Sequence, residues 1–314
     1  MALSISQANA VSTKYFDTTL KQIVWESSPF WMKMKKSHKM ETRGGNSIQF
    51  PIRYKKLGIA DAGDFDDQLT YKSIETRSGG ELSWKTYNTR TLITKEEQIK
   101  NTGEPEIISL IKDKSAELKE DMDDRFATDL FTENPNGKGF TSLDTIVDSS
   151  ASYAGISISD MSAWVGWEDA STTGLAIYGP GSLSYYVNQA TFGKDSPSMM
   201  LTTKNLYTRF MAIYEGQKVV DKDMAEAGFS NNLVAFGSTI MPDAYVPAST
   251  WYGLDIDQFK FRVHPDDNMH VTDWFTLEQI GLPDHMAKVI SWTGNLCCRS
   301  RRSSFKMTNL NWQL

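Results

Sequence analysis

The spacing of apolar and polar positions divides the chain into stretches of different period. From residue 107 onward, Ile107, Ile111, Leu118, Met122, Phe126 and Leu130 recur at intervals near 3.6, with Lys112, Lys114, Glu117, Lys119, Glu120 and Asp123 between them. Glu104-Pro105-Glu106 supplies a start, with Pro in the first turn and acids near the positive end of the dipole; Asn134-Pro135-Asn136-Gly137 supplies a stop. The spacing predicts a helix over 105–131, roughly 40 Å long at about 1.5 Å per residue. Upstream, Ile48, Phe50, Ile52 and Tyr54 alternate with Gln49 and Arg53, a strand pattern, and Pro51 assigns it to a sheet edge. Turn residues at Arg43-Gly-Gly-Asn46 and Gly79-Gly80, and a Thr-, Trp- and Tyr-rich run from Glu81 to Thr94, complete a long hairpin over 44–94. A two-stranded ribbon of that length has no core of its own.

The remainder alternates short elements. Helices are expected over 182–192 and 204–215, and a short apolar strand over 198–202. Strand-like runs follow at 233–241, 248–254 and 259–263, and a last apolar strand at 285–298. The class is α+β. Residues 1–40 carry short helical patterns broken by Pro29, with Tyr15, Phe16, Leu20, Ile23 and Val24 on one face, and then a run, Trp31 to Met40, that mixes large apolar residues with lysines. This segment reads as an arm that lies on something else. Trp25, Phe30, Trp31, Phe50, Tyr54, Phe65, Tyr71, Trp84 and Tyr87 fall in the arm and hairpin, where no intrachain core is evident. Aromatic residues are enriched at subunit interfaces, so other copies of the chain are expected to cover them. Phe50, Tyr54, Tyr71, Trp84 and Tyr87 are the expected intersubunit contacts of the hairpin.

Apolar residues at 40% and charged residues at 23% support a packed core. No run of about 18 apolar residues predicts a membrane span, and residues 1–10 lack a secretory pattern, so cytoplasmic synthesis is expected. The net charge of −6 is unevenly spread: residues 1–60 hold ten Lys or Arg against three Asp or Glu, and beyond Asp284 lie Lys288, Arg299, Arg301, Arg302 and Lys306 with no acid. Basic ends of this kind face either nucleic acid or acidic surfaces of neighbouring copies. Cys297 and Cys298 are adjacent, a spacing that suits reduced thiols near a strand end and not an ordinary disulfide. The catalytic signatures of serine hydrolases, zinc proteases, phosphate-binding loops and dinucleotide-binding folds are all missing from the sequence. His264 and His270 flank an acidic turn whose spacing suits no metal, Gly179-Pro180-Gly181 reads as a tight turn before a helix, and the acids at 61–67 and 121–124 read as solvated faces. No catalytic, cofactor-binding or metal-binding residue is expected.

The order of parts resembles the major capsid protein of tailed bacteriophages, with its Hong-Kong-ninety-seven-type fold. Specific stretches carry the likeness: Tyr153-Ala-Gly-Ile-Ser157 followed by Trp164; Ser196-Pro-Ser-Met-Met-Leu-Thr-Thr203 leading into a helix with Tyr207; Arg262-Val-His-Pro-Asp266 with Trp274; and Trp292-Thr-Gly-Asn-Leu-Cys297 with Arg301-Arg302. The resemblance implies an N-terminal arm over 1–43, an extended loop over 44–94, and a peripheral domain over 95–150 with its spine helix at 105–131. A mainly axial domain over 151–270 and a return to the peripheral domain with a basic tail over 271–314 would follow. It implies self-assembly into pentamers and hexamers of an icosahedral shell around double-stranded DNA, in a virion assembled in the bacterial cytoplasm. A separate scaffolding protein, a portal and a decoration protein are the implied partners. Lys33, Lys35, Lys36 and Lys39 are the expected DNA-facing residues. Lys55, Lys56, Lys72 and Lys85 lie in the loop, and no motif marks any of them for a covalent crosslink. An encapsulin-like compartment is the alternative within the fold, and a phage-associated hydrolase or glycan-binding protein the alternative outside it.

Overall fold

The computed structural model describes residues 28–37, 40–42, 44–53, 57–60, 62, 72–100, 104–159, 161–170, 174–214, 232–278 and 282–312. One strand organises the first half of the architecture. Strand β13, Leu282–Cys298, is 17 residues long. Along one edge it pairs antiparallel with β4 (Lys85–Ile93), Met286 opposite Ile93 through Gly294 opposite Lys85. Along its other edge it takes β12 (Phe275–Leu277), β11 (His270–Val271) and β10 (Phe259–Val263) in turn, and β1 (Met40–Thr42) adds parallel to β10. Helix α3, Glu104–Phe131, preceded by the short α2 (Lys95–Lys100), has 28 residues, about 42 Å at 1.5 Å per residue. Leu118, Met122, Phe126 and Leu130 share one core cluster with Tyr87 of β4 and Ile290 and Trp292 of β13.

The second sheet runs β5-β14-β9-β6-β8-β7. Its strands are β5 (Trp167–Asp169), β6 (Met199–Thr202), β7 (Leu233–Ala235), β8 (Ser238–Pro242), β9 (Trp251–Leu254) and β14 (Phe305–Met307). Every residue of β6 and β9 is buried. The reason is that both faces are covered. Met199, Leu201, Tyr252 and Leu254 point into the core shared with α3, while Met200, Ile240, Trp251, Phe305 and Met307 point into a second core with helices α5 (Leu183–Ala190) and α6 (Lys204–Ile213). Side chains alternate with period two, so a strand buried on both faces reads as an unbroken apolar run. Both helices are capped by a hydroxyl, Ser182 accepting from the Tyr185 N–H and Thr203 from the Leu206 N–H.

Three expectations need correction. The hairpin expected over 44–94 is two structures: β2 (Ile48–Arg53) pairs antiparallel with β3 (Arg77–Leu82), but β4 leaves the ribbon and joins β13. The apolar run expected as one strand over 233–241 is folded on itself, with Ala235 opposite Ser238. The segment after 271 does not return wholly to the first sheet, because β14 lies between β5 and β9 in the second. In all three cases the partner strand lies far along the chain or behind a tight turn, and local periodicity cannot distinguish it.

Candidate assembly surfaces and the groups that hold them

The arm enters the described structure as helix α1, Pro29–Lys36. Phe30, Trp31 and Met34 are buried, Trp31 being 1% exposed. The Trp31 ring lies 4.0 Å from Phe261 and 6.1 Å from both Phe126 and Phe140, centroid to centroid. This corrects the expectation that sister molecules cover these rings: α1 packs on β10 and α3 of its own chain. Lys33 is half-buried. The side chains of Lys35 and Lys36, and all of Lys39, lie outside the described residues.

The hairpin residues separate in the same way. Phe50 is 2% exposed and belongs to the first core, with its ring against Gly80, where a Cβ would sit 2.9 Å from the Phe50 ring. Glu81 N–H donates to the Ala154 carbonyl at 3.0 Å, which ties β3 to the turn at 153–156. Tyr87 is 7% exposed; its hydroxyl donates to Asp129 Oδ2 at 2.7 Å and accepts from the Phe140 N–H at 2.9 Å. Burial, with Asp129 beside it, pushes the Tyr87 phenol far above its ordinary value. Phe50 and Tyr87 are therefore covered within one chain, contrary to their expected role as open hairpin contacts. Trp84 is half-buried, donating from Nε1 to the Gly45 carbonyl at 2.7 Å, with its ring edge-on to His264. Tyr54 and Tyr71 lie outside the described residues. What β2 and β3 leave open is polar: Gln49, Pro51, Arg53, Arg77, Gly79 and Glu81 are exposed on the face opposite Phe50 and Ile52.

Of the basic residues beyond Asp284, Arg301, Lys306 and Lys288 are held internally, Arg302 is half-buried and Arg299 is exposed. Arg301 is fully buried. Its five N–H donors meet five backbone carbonyls: Nε meets Ile146 at 2.6 Å, Nη1 meets Ala151 at 2.8 Å and Trp164 at 3.2 Å, and Nη2 meets Thr145 at 3.4 Å and Asp148 at 2.8 Å. Its Cζ lies 5.8 Å from the Tyr153 ring. The guanidinium thus gathers the end of helix α4 (Leu143–Ile146) and the loop to Trp164 around one point. Lys306, 3% exposed, reaches Asp144 at 2.9 Å and Glu168 at 3.1 Å. Burial pushes its ammonium down, and the two carboxylates outweigh that and raise it. Arg262 and Lys260 both pair with Glu41 across β1 and β10. The Lys260 contact, together with Arg262, holds the Glu41 carboxyl below its ordinary range against the opposing effect of burial. Arg302 lies 4.2 Å from the Phe192 ring. Sequence reasoning flagged Arg301, Arg302 and Lys306 as positive charges but not their partners, whose positions depend on long-range pairing; it did not single out the charge of Lys260 or Arg262.

Cys297 and Cys298 are free and buried at the end of β13, as expected, and burial pushes both thiols up to about 12. The His264–His270 turn folds against β13, with the Asp267 carboxylate accepting from the Ser291 and Thr293 hydroxyls. Among the described residues no group of three or more His, Cys, Asp or Glu side chains is placed to hold a metal. No helix among them is long and apolar enough to cross a membrane.

No family model and no curated protein matches this sequence. Solved structures do. A chain of the cyanophage A-1(L) capsid asymmetric unit is similar over 87% of this chain and 90% of its own, at 16% identity and a TM-score of 0.65. The capsid of an empty GTA particle is similar over 88% and 89%, at 8% identity and a TM-score of 0.59. The holo-SrpI encapsulin complex from Synechococcus elongatus is similar over 92% and 90%, at 10% identity and a TM-score of 0.50. At these identities the likeness is one of fold, and it covers nearly the whole of each chain: this chain has the tailed-phage type of capsid fold.

Proposed function

We propose that the chain is a shell-building subunit, the major capsid protein of a tailed phage, which assembles through pentamers and hexamers into a closed head around double-stranded DNA. The observation that carries this reading is the extent of the likeness, 87% of this chain against 90% of a cyanophage capsid chain. The polar outer face of the ribbon, with Arg53, Arg77 and Glu81 exposed, lies across an adjacent copy. Such contacts are head-to-tail, and rotation closes them into rings. Many modest interfaces then sum to a stable shell. Lys33, Lys35, Lys36 and Lys39 face packaged DNA, making phosphate contacts that weaken with salt and ignore sequence. Scaffolding, portal and decoration proteins complete the particle in the host cytoplasm. The protein acts by assembly and not by catalysis.

The likeness to an encapsulin favours a second reading, a shell around protein cargo. Negative-stain imaging of the purified protein, with the ratio of ultraviolet absorbance at the nucleic-acid and protein maxima before and after nuclease, separates the two. Closed particles that retain nuclease-protected DNA support the phage reading, and particles that retain a co-purifying protein support the compartment. A compact monomer at high concentration under all assembly conditions refutes both. Charge reversal at the four lysines should reduce DNA retention while leaving particles intact; unchanged retention removes them from the DNA-facing surface.

A further inference from the structure

Two arginines are buried among the described residues, and they are satisfied to different degrees. Arg301 places its five donors on five carbonyls. Arg262, 3% exposed, has one partner side chain, Glu41, and its Nε–H meets no acceptor among the described residues. A guanidinium keeps its charge in a protein, so a donor left open in a buried site is costly and calls for an acceptor.

Arg262 also lines a cavity of about 350 Å³ at the foot of the β2–β3 ribbon. The loop 44–49 and Trp84 form its other walls. Among the described residues, the N–H groups of Gly44, Gly45, Asn46 and Ser47 donate to no backbone carbonyl. Gly45 has a φ of 135°, which glycine takes readily and other residues do not, so the backbone approaches the cavity without a side chain there. Trp84 fixes the loop through its bond to the Gly45 carbonyl. The charge is unbalanced in one direction. Lys260 and Arg262 both pair with Glu41, and exposed Arg299 adds its field at the same carboxylate, so three cations meet one anion. Further along, His264 stands edge-on to Trp84 at 5.2 Å with Asp266 beside it.

We propose that this cavity binds a small phosphate-class dianion, held by the Arg262 guanidinium and the N–H groups of residues 44–47. A guanidinium and a run of backbone N–H groups are the donors that suit phosphate oxygens. The excess of positive charge favours a dianion over a single carboxylate. The site is complete within one chain, so it stands or falls separately from the shell reading.

Equilibrium dialysis of nuclease-treated protein against radiolabelled inorganic phosphate, at constant ionic strength set with chloride, reads occupancy in subunits and particles alike. The expected result is a single saturable site per chain, with a dissociation constant of about 1 mM or below. Arg262→Lys keeps the charge and loses the Nε–H, so affinity should fall about tenfold. Asn46→Asp puts a carboxylate on the exposed rim; it should weaken binding several-fold, more at low salt than at high, with the melting temperature unchanged. Uptake that does not saturate overturns the proposal. So does an affinity that neither variant changes, because the ion then sits elsewhere and water serves Arg262. If Arg262→Lys fails to fold, the wild type and Asn46→Asp decide. A short DNA duplex as competitor separates the sources of phosphate: retained inorganic phosphate supports a free dianion, and its displacement overturns that assignment in favour of a phosphodiester.

Discussion

Replacing Arg301 by methionine tests how the region between 143 and 164 is held. Methionine keeps much of the volume and removes all five donors. Of the five carbonyls that accept from Arg301, Asp148 also accepts from the Gly166 N–H at 3.1 Å. The carbonyls of Thr145, Ile146, Ala151 and Trp164 lose their guanidinium partner in a buried setting. At about 1 kcal/mol for each unsatisfied group, the low end of the range, the loss is roughly 4 kcal/mol. Relief of the buried charge offsets part of it, and relaxation around the site offsets more, so about 3 kcal/mol is expected. With a urea slope of about 3 kcal/mol/M, the midpoint falls by about 1 M. The fluorescence of Trp164, whose own carbonyl is one of the five acceptors, contributes to the signal in urea titrations of the purified chain. Arg301→Lys keeps the charge and offers three donors, so it should recover about half the loss. A midpoint for Arg301→Met within about 0.3 M of wild type would show that the carbonyls find other partners and that the arginine is dispensable.

The thiols of Cys297 and Cys298, buried and pushed up to about 12, should resist a disulfide exchange reagent at pH 8 in native subunits and react fully in denaturant; rapid native labelling contradicts their burial. Gly253 lies directly under the Phe305 ring, which occupies the space a Cβ would need, so Gly253→Ala should separate β9 from β14 and lower the melting temperature by several degrees; an unchanged melt shows that the ring can move aside. Lys288 is 2% exposed, near the Trp274 ring, and burial lowers its ammonium to about 8. The folded chain then binds fewer protons than the unfolded one between about pH 8 and the ordinary lysine value, so this residue makes stability rise with pH across that window. Lys288→Met should stabilise the subunit near pH 7, by up to on the order of 3 kcal/mol, and flatten that slope; parallel pH profiles for the two proteins refute the argument.

The long helix was legible because nearly eight turns of repeated spacing sit between a proline start and an Asn-Pro-Asn-Gly stop; 105–131 was expected and Glu104–Phe131 is found. The last strand of the first sheet was visible as an apolar run, 285–298 against Leu282–Cys298, and so were α5 and α6. Burial of the arm and hairpin aromatics was not. Trp31 meets Phe261, and Tyr87 stands opposite Trp292, both pairs separated by about two hundred residues, and period-two or 3.6 patterns carry no record of such partners. The hairpin at Phe236 was missed for a different reason: asparagine or aspartate before glycine is the usual sign of its turn, and phenylalanine hides it. Among the positive charges beyond residue 284, Arg301 and Lys306 were placed wrongly, since Arg301 finds carbonyls and Lys306 finds Asp144 and Glu168 only once the chain has closed on itself; Arg299 is exposed.

The place of β14 sets an order of events during synthesis. Strand β5 finds its ladder partner in residues 305–307, and β9 waits for the same three residues on its outer side. On the ribosome, an emerging chain that has passed residue 254 holds most of the second sheet with one slot open. A chain that stalls before Phe305 therefore carries an unfilled edge and an uncovered Trp251. Closure of the second sheet thereby waits for residues 305–307. Nascent chains released at residue 303 should be protease-sensitive between β5 and β9; protection equal to that of the full chain would show that the slot closes without β14.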